Sequence, residues 1–343
     1  MKGIHSQNDH QPEGRLMSVS IFRVISMLMI ILIHCMCFSA GYWDEYFHCP
    51  EPSRALHDLA AIMAALALPI FFFVSGFLNA YNYVEKGKYR AWPSFVANKF
   101  KRLILPTVIW TVIYLMILPF RYPLTEVLTG IQHLWFLPVL FSVFILVRLI
   151  TPWLVRERTA QADAAIACAI VIACYLLYLV YRRCEIHDSL FIGRVLTYLG
   201  YFVVGMMAYK HRLALRNKVL EAVLVLFLLA CHAACLTVFV SLAHGLVNIF
   251  VTIGICVFAL DLLSAIKFGN HSQIYSVFNG LDRNGMDIYL IHQVLIMLLY
   301  QYTGVKESLM LPHPYLGIAI LMLTVLPVSW ALSEMKRRLQ SRL

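Results

Sequence analysis

Long apolar runs separated by short polar stretches recur from one end of the chain to the other. Runs of about 18 or more apolar residues are the signature of membrane-crossing helices. Ten can be drawn, at roughly 18–40, 58–82, 103–119, 132–151, 163–181, 191–209, 219–241, 244–266, 285–303 and 314–335. The strands of a membrane β-barrel would instead alternate apolar and polar residues over about ten positions, and no such alternation is visible. The first 17 residues are polar, and the run that follows has no small-x-small cleavage site, so it reads as a retained first helix. No internal repeat, low-complexity tract or Gly/Ser linker divides the chain. The pattern predicts an all-α, polytopic transmembrane bundle at 18–335, with polar tails at 1–17 and 336–343.

Composition agrees. The chain is 61% hydrophobic, its mean hydropathy is +0.75, and only 13% of its residues are charged, against about 25% in an average soluble domain. The net charge of +10 is explained by where the basic residues stand. Lys2 and Arg15 precede the first run, and Lys86, Lys88, Arg90, Lys99, Lys101 and Arg102 lie between the second and third. Arg156, Arg158, Lys210, Arg212, Arg216, Lys218, Lys267 and Arg283 fall in later even-numbered connections, and Lys336, Arg337, Arg338 and Arg342 close the chain. These are twenty; the odd-numbered connections hold five, namely Arg54, Arg121, Arg182, Arg183 and Lys306. Basic residues accumulate in cytoplasmic loops, so an even number of spans with both termini in the cytoplasm is expected. A topological role leaves no basic patch to suggest nucleic-acid binding.

Ionisable residues inside apolar runs are costly and therefore informative. In the first run, FRVISMLMIILIHC, Arg23 and His34 are eleven positions apart. At 100° and 1.5 Å per residue they share one helix face about 16 Å apart along the axis. A snorkelling arginine and a satisfied core histidine would give the same pattern. The ninth run contains Asp287, Tyr289 and His292 in GMDIYLIHQ, which fits a polar helix start with an interhelical hydrogen bond as well as it fits a site. LPIFFFVSGFLNA, with Pro69, Ser75 and Gly76, fits a kink and close helix contact. KFKRLILP is a basic cluster leading into a Leu-Pro step, and GIQHLWFLP places His133 and Trp135 at a membrane edge, where an aromatic belt is common.

Together and in this order, these segments resemble the acyltransferase-three family of integral membrane O-acyltransferases. The family's Arg, ten residues and His in the first helix correspond to Arg23 and His34. Its PxFFxxSGFL-like segment resembles Pro69 to Leu78, and its basic stretch before Leu-Pro resembles Lys99, Lys101, Arg102, Leu105 and Pro106. Its His-Leu-Trp-Phe-Leu segment resembles His133 to Leu137, and its late Tyr-Leu-x-His resembles Tyr289, Leu290 and His292. Relatives often carry Asp three residues before the arginine, where this chain has Ser20, and Ser near Gly285 or Asp287. Many also carry an appended SGNH-type hydrolase domain; since this sequence ends soon after its tenth run, the resemblance implies that it would be the stand-alone form.

The resemblance implies transfer of an acyl group, acetyl most commonly, from cytoplasmic acyl-CoA to a hydroxyl of a bacterial surface or exported glycan, in the inner membrane. His34 is expected to serve as general base or as transient acyl carrier. Arg23, Lys99, Lys101 and Arg102 suit the donor's phosphates. Arg23, Tyr289 and His292 are further catalytic candidates; Tyr289 and His292, with His133 and Trp135, would line the acceptor side or supply oxyanion donors, and Ser75 and Asp287 are also expected to bind the acceptor. No permanently bound cofactor is implied; acetyl-CoA or another acyl-CoA is the donor substrate. The partners are this donor, a glycan or lipid-linked glycan, and membrane lipid. A transporter or flippase of lipid-linked glycan also fits ten helices with intramembrane Arg and His, as does a sensor or scaffold without chemistry. His5, His10, His48 and His57 have no metal-ligand company in sequence. Cys49 and Cys184 fall in connections on the same, non-cytoplasmic side, where pairing is open.

Overall fold

Side chains alone cannot satisfy a backbone in hydrocarbon, so the apolar runs close their own hydrogen bonds as helices. The computed structural model describes residues 12–88, 91–184, 191–212, 215, 217–237, 242–266 and 273–341. Lys2, His5, His10, Arg90, Arg216, Lys267 and Arg342 lie outside the described residues. The helices are α1 (Pro12–Met36), α2 (Arg54–Val84), α3 (Trp92–Lys99), α4 (Leu105–Ile117), α5 (Leu124–Thr129), α6 (Phe136–Leu154), α7 (Ala160–Arg183), α8 (Ile192–Lys210), α9 (Lys218–Thr237), α10 (Leu242–Ala265), α11 (Gln273–Tyr302) and α12 (Pro314–Gln340). No strand occurs among the described residues. A π-helical turn, Phe100–Ile104, joins α3 to α4 into one continuous span, Trp92–Ile117.

Among the described residues, nine spans are long and apolar enough to cross a membrane. The tenth helix of that length is α11. Its 30 residues cover about 45 Å, but Asp282, Asp287, His292 and Gln293 make it more polar than the rest. It crosses with its polar face turned into the bundle. His292 and Gln293 are buried, and α11 lies between α1 and α12.

Side-chain contacts fix the direction of these three helices. Arg23 of α1 meets Asp282 of α11, and His34 meets His292 further along, so α1 and α11 run parallel. Returning along α11, α12 brings Ser333 to Asn284. The start of α1 and the end of α12 therefore share one end of the bundle, as an even number of crossings requires. The same end gathers basic connections around buried acids. Asp163 accepts from Arg158 at 3.0 Å and His211 at 2.7 Å, and also from Lys210. Asp261 accepts from Arg212 at 2.5 Å and from Lys218. Lys210 also donates to the last carbonyls of α6, those of Leu154 and the following Arg156, which have no helical partner. We call this the basic end and its opposite the far end.

Ser53 caps α2 and Thr159 caps α7, each accepting from the backbone N–H three residues on. Helices α2 and α8 pack backbone against backbone. A Cβ on Gly76 would stand 1.9 Å from the Phe202 carbonyl oxygen, and one on Gly205 would stand 1.9 Å from that of Phe73. The two backbones touch through reciprocal glycines, the small-residue contact that membrane helices use in place of a hydrophobic driving force. Cys49 is buried and Cys184 exposed, and neither is disulfide-bonded.

Either Gly76→Ala or Gly205→Ala should destabilise the bundle, an overpacking cost of about 1–3 kcal/mol. Ser75→Ala, at a half-buried neighbour, should change little. Thermal unfolding in detergent checks this: a wild-type midpoint for both glycine variants would show that the close approach is not required.

Candidate active site

The 11-residue spacing in α1 and a matching spacing in α11 build the site. At 100° per residue, Asp282 and Tyr289 lie 20° apart around α11, with His292 some 60° further round, so all three face α1. Asp287 lies about 140° from Asp282 and faces α12, where it accepts from Lys336 at 2.6 Å and Ser333 at 3.3 Å.

At the basic end, the Arg23 guanidinium holds the Asp282 carboxylate at 2.5–2.6 Å through two nitrogens. The counter-ion that Ser20 does not supply comes from Asp282, 259 residues away. Arg23, Asp282, Arg283 and Arg102 line a cavity of about 470 Å3 that runs inward past Met27 and Phe71 to Tyr289 and Phe136. Arg102 reaches it from the π-helical turn. Pro106 has no N–H to give the Arg102 carbonyl, and Leu105 donates instead to Phe100, one residue further back than in an α-helix. Lys99 lies with its Nζ 3.4 Å from the Phe144 ring centre, a cation–π contact. Lys101 is exposed. Of the three basic residues in this segment, only Arg102 lines the cavity.

Deeper in the bundle, three histidines converge. The ring centres of His34 and His292 are 4.9 Å apart, those of His133 and His292 5.2 Å, and those of His34 and His133 5.8 Å. Their hydrogen bonds assign the protons. His292 Nδ1 lies 3.1 Å from the Ile288 carbonyl, which only accepts, so Nδ1 carries the proton and Nε2 the lone pair. His34 Nδ1, 2.7 Å from that lone pair, must donate to it. The neutral His34 ring then has its own lone pair on Nε2. His133 Nε2 donates to the Tyr289 carbonyl at 2.8 Å, and its Nδ1 accepts from the Tyr114 hydroxyl at 3.3 Å. The Tyr289 hydroxyl donates to the His133 carbonyl. His133 and Tyr289 thus clamp each other and brace the layer in which His34 sits. Among the described residues, no three His, Cys, Asp or Glu side chains are disposed to hold a metal ion.

On the far side of this layer, a larger cavity of about 790 Å3 is lined by His34, His133, Trp135, Gln132, Gln293 and Glu126, among others. The 37–53 connection and α5 form part of its wall. Gln132 has φ +54°, a rare conformation for a non-glycine residue. Such strain is held only where the surroundings over-determine it. Here the Gln132 side-chain carbonyl accepts from Gln293 Nε2 at 2.9 Å. Gln293 Oε1 is buried without a partner among the described residues. The Arg194 guanidinium lies 4.2 Å over the Trp135 ring. Glu126 has its carboxyl pushed up by burial and by Glu45, an effect that Arg194 opposes. Ser75 lines neither cavity.

The structure therefore gathers His34, His292, His133 and Tyr289 into one layer, with Arg23 and Arg102 in the cavity on one side and Trp135 in the cavity on the other. Sequence reasoning missed Asp282, Tyr114, Gln132 and Gln293. Asp282 stands in GLDRNG, just before the apolar run that was drawn from 285, whereas the helix begins at 273.

No curated protein and no solved structure matches this chain. A family model described as an acyltransferase domain matches residues 18–334, so the chain belongs to the acyltransferase-three family and is a multi-pass membrane acyltransferase.

Proposed function

We propose that the protein transfers an acyl group, acetyl foremost, from cytoplasmic acyl-CoA to a hydroxyl of a bacterial surface or exported glycan, free or lipid-linked, at the inner membrane. In this reading the basic end and both termini face the cytoplasm. The observation that carries it is a pair of cavities on either side of the histidine–tyrosine layer: Arg23, Arg102, Arg283 and Tyr289 line one, and His34 and His133, the hydrogen-bond partner of Tyr289, line the other.

The chemistry follows from the residues. Acyl-CoA is a polyanionic thioester, and arginine is the side chain suited to its phosphates. Arg23 and Arg102 hold these at the basic end, and the acyl-bearing arm extends toward Tyr289. The acceptor hydroxyl enters from the far cavity and donates to His34 Nε2. As its oxygen attacks the thioester carbonyl, the C–O bond forms and Nε2 takes the proton. The C–S bond then breaks, and the imidazolium returns that proton to the departing CoA sulfur. His292 accepts from His34 Nδ1–H throughout and holds the ring in the tautomer that leaves Nε2 basic. Gln293 Oε1 offers a second acceptor to the hydroxyls of a sugar.

His34→Ala should reduce transfer by at least about a hundredfold, as loss of a general base does, with acyl-CoA binding retained. Assay of the purified protein with labelled acetyl-CoA and de-esterified glycan checks this, and near-normal acylation would remove His34 from the chemistry. Arg23→Ala and Asp282→Ala should each raise the KM for acyl-CoA, and the double variant should do no worse than the more damaged single, because the two act as one unit. Additive effects would separate Asp282 from the donor site.

A further inference from the structure

A third cavity, of about 360 Å3, lies in the far half of the bundle between α2, α7, α8, α9 and α10. Its wall includes Tyr175, Tyr178, Tyr198, Tyr201, Thr197 and Asn248, an unusually polar lining for a space among membrane helices. No charged side chain lines it, which speaks against phosphates, nucleotides and metal ions.

Two residues of its wall carry acceptors short of a donor. Asn248 Oδ1 is buried without a hydrogen-bond partner among the described residues. The Ala65 carbonyl lacks the usual helical donor four positions on, because that residue is Pro69, which has no N–H; Ala65, Pro69 and Asn248 all line the cavity. In a bilayer, a bare acceptor costs several kcal/mol unless a partner reaches it. A hydrocarbon chain in this space would satisfy neither atom. A neutral molecule rich in hydroxyl groups would satisfy both and lay its C–H faces on the tyrosine rings. The volume lies within the range of small-molecule sites.

The cavity adjoins the one that holds His34. Tyr198 forms part of its wall, and the same ring stacks on Trp135 of the far cavity, with ring centres 6.3 Å apart, and on Phe72 at 4.5 Å. One short stretch of α8 serves both spaces, with Arg194 in the far cavity and Leu196 to Tyr198 in this one. Gly245 makes room at the rim, since a Cβ there would stand 2.6 Å from the Tyr175 hydroxyl.

We infer that this cavity is a second saccharide subsite, which holds a sugar of the acceptor chain removed from the one being acylated. The inference rests on the glycan-acceptor reading above and sharpens it: the preferred acceptor is an oligosaccharide or a longer chain, not a single sugar. Asn248→Leu and Tyr178→Phe test it without touching the histidine layer. The probes are four-sugar and one-sugar fragments, sorted by size after mild hydrolysis of the de-esterified cell-surface polysaccharide. The wild type should favour the four-sugar fragment. Each variant should raise the KM for that fragment about tenfold, the worth of one hydrogen bond lost to a bound ligand. The KM for the one-sugar fragment, the KM for acetyl-CoA and the melting temperature should stay as in the wild type. Equal KM changes for both fragments, or none for either, would overturn the subsite while leaving the acyltransfer reading intact. Failure of the wild type to acylate either fragment would overturn both.

Discussion

The parallel pairing of α1 with α11 is the contact on which the rest depends. Each helix carries polar groups that hydrocarbon would penalise heavily, and each satisfies them on the other. Arg23 meets Asp282 and His34 meets His292, at sequence separations of 259 and 258. The near-equal separations mean that the two helices run side by side in register, pinned at two points about 16 Å apart. Breaking either contact would leave a buried polar or charged group without its partner, and that asymmetry makes such pairs specific even where their net stabilisation is small. The pairing also closes the bundle, because it joins the first helix of the chain to the last but one.

The site lies at this seam because the seam is where polar atoms are tolerated. Different elements cover its two ends. At the basic end, the π-helical turn that precedes Pro106 carries Arg102 to the cavity. At the far end, the 37–53 connection and α5 leave a larger space, whose wall is held by the strained backbone of Gln132. Between them, His133 and Tyr289 exchange hydrogen bonds in both directions. That reciprocal clamp ties α11 to the Gln132–Trp135 turn, while the His34 ring beside it is held by its hydrogen bond to His292.

Much of the fold was legible in the sequence, because a bilayer allows few solutions. Apolar run length located the crossings, and Gly76 in its SGFL setting was readable as a close-contact residue, as its meeting with Phe202 shows. The Arg23–His34 stripe was readable because both residues belong to one helix. Their partners were not. Asp282 looked like part of a polar connection, since nothing local announces that α11 extends 12 residues before Gly285. Asp287 looked like a site residue because it lies close to His292 in sequence. Only the orientation of α11, set by its contacts with α1 and α12, turns Asp282 toward Arg23 and Asp287 toward Lys336. His133 was visible as a histidine at a membrane edge, but its commitment of both ring nitrogens depends on Tyr114 and Tyr289, 19 and 156 residues away.

The two cavities along the α1–α11 seam differ in the polar groups they offer. The basic-end cavity presents Arg23, Arg102 and Arg283, with Asp282 engaged by Arg23. The far half, which also holds the donor Arg194, offers acceptors with no donor among the described residues, Gln293 Oε1 and, at the third cavity, Asn248 Oδ1, beside the lone pair of His34 Nε2. A bilayer does not retain such groups for stability, since an apolar residue in each place would cost less. Under the proposed acyl transfer, the arginines suit an anionic thioester on one side and the open acceptors suit a hydroxyl-bearing chain on the other. The imidazole of His34 stands between them, and in that proposal it accepts the hydroxyl proton and releases it to sulfur.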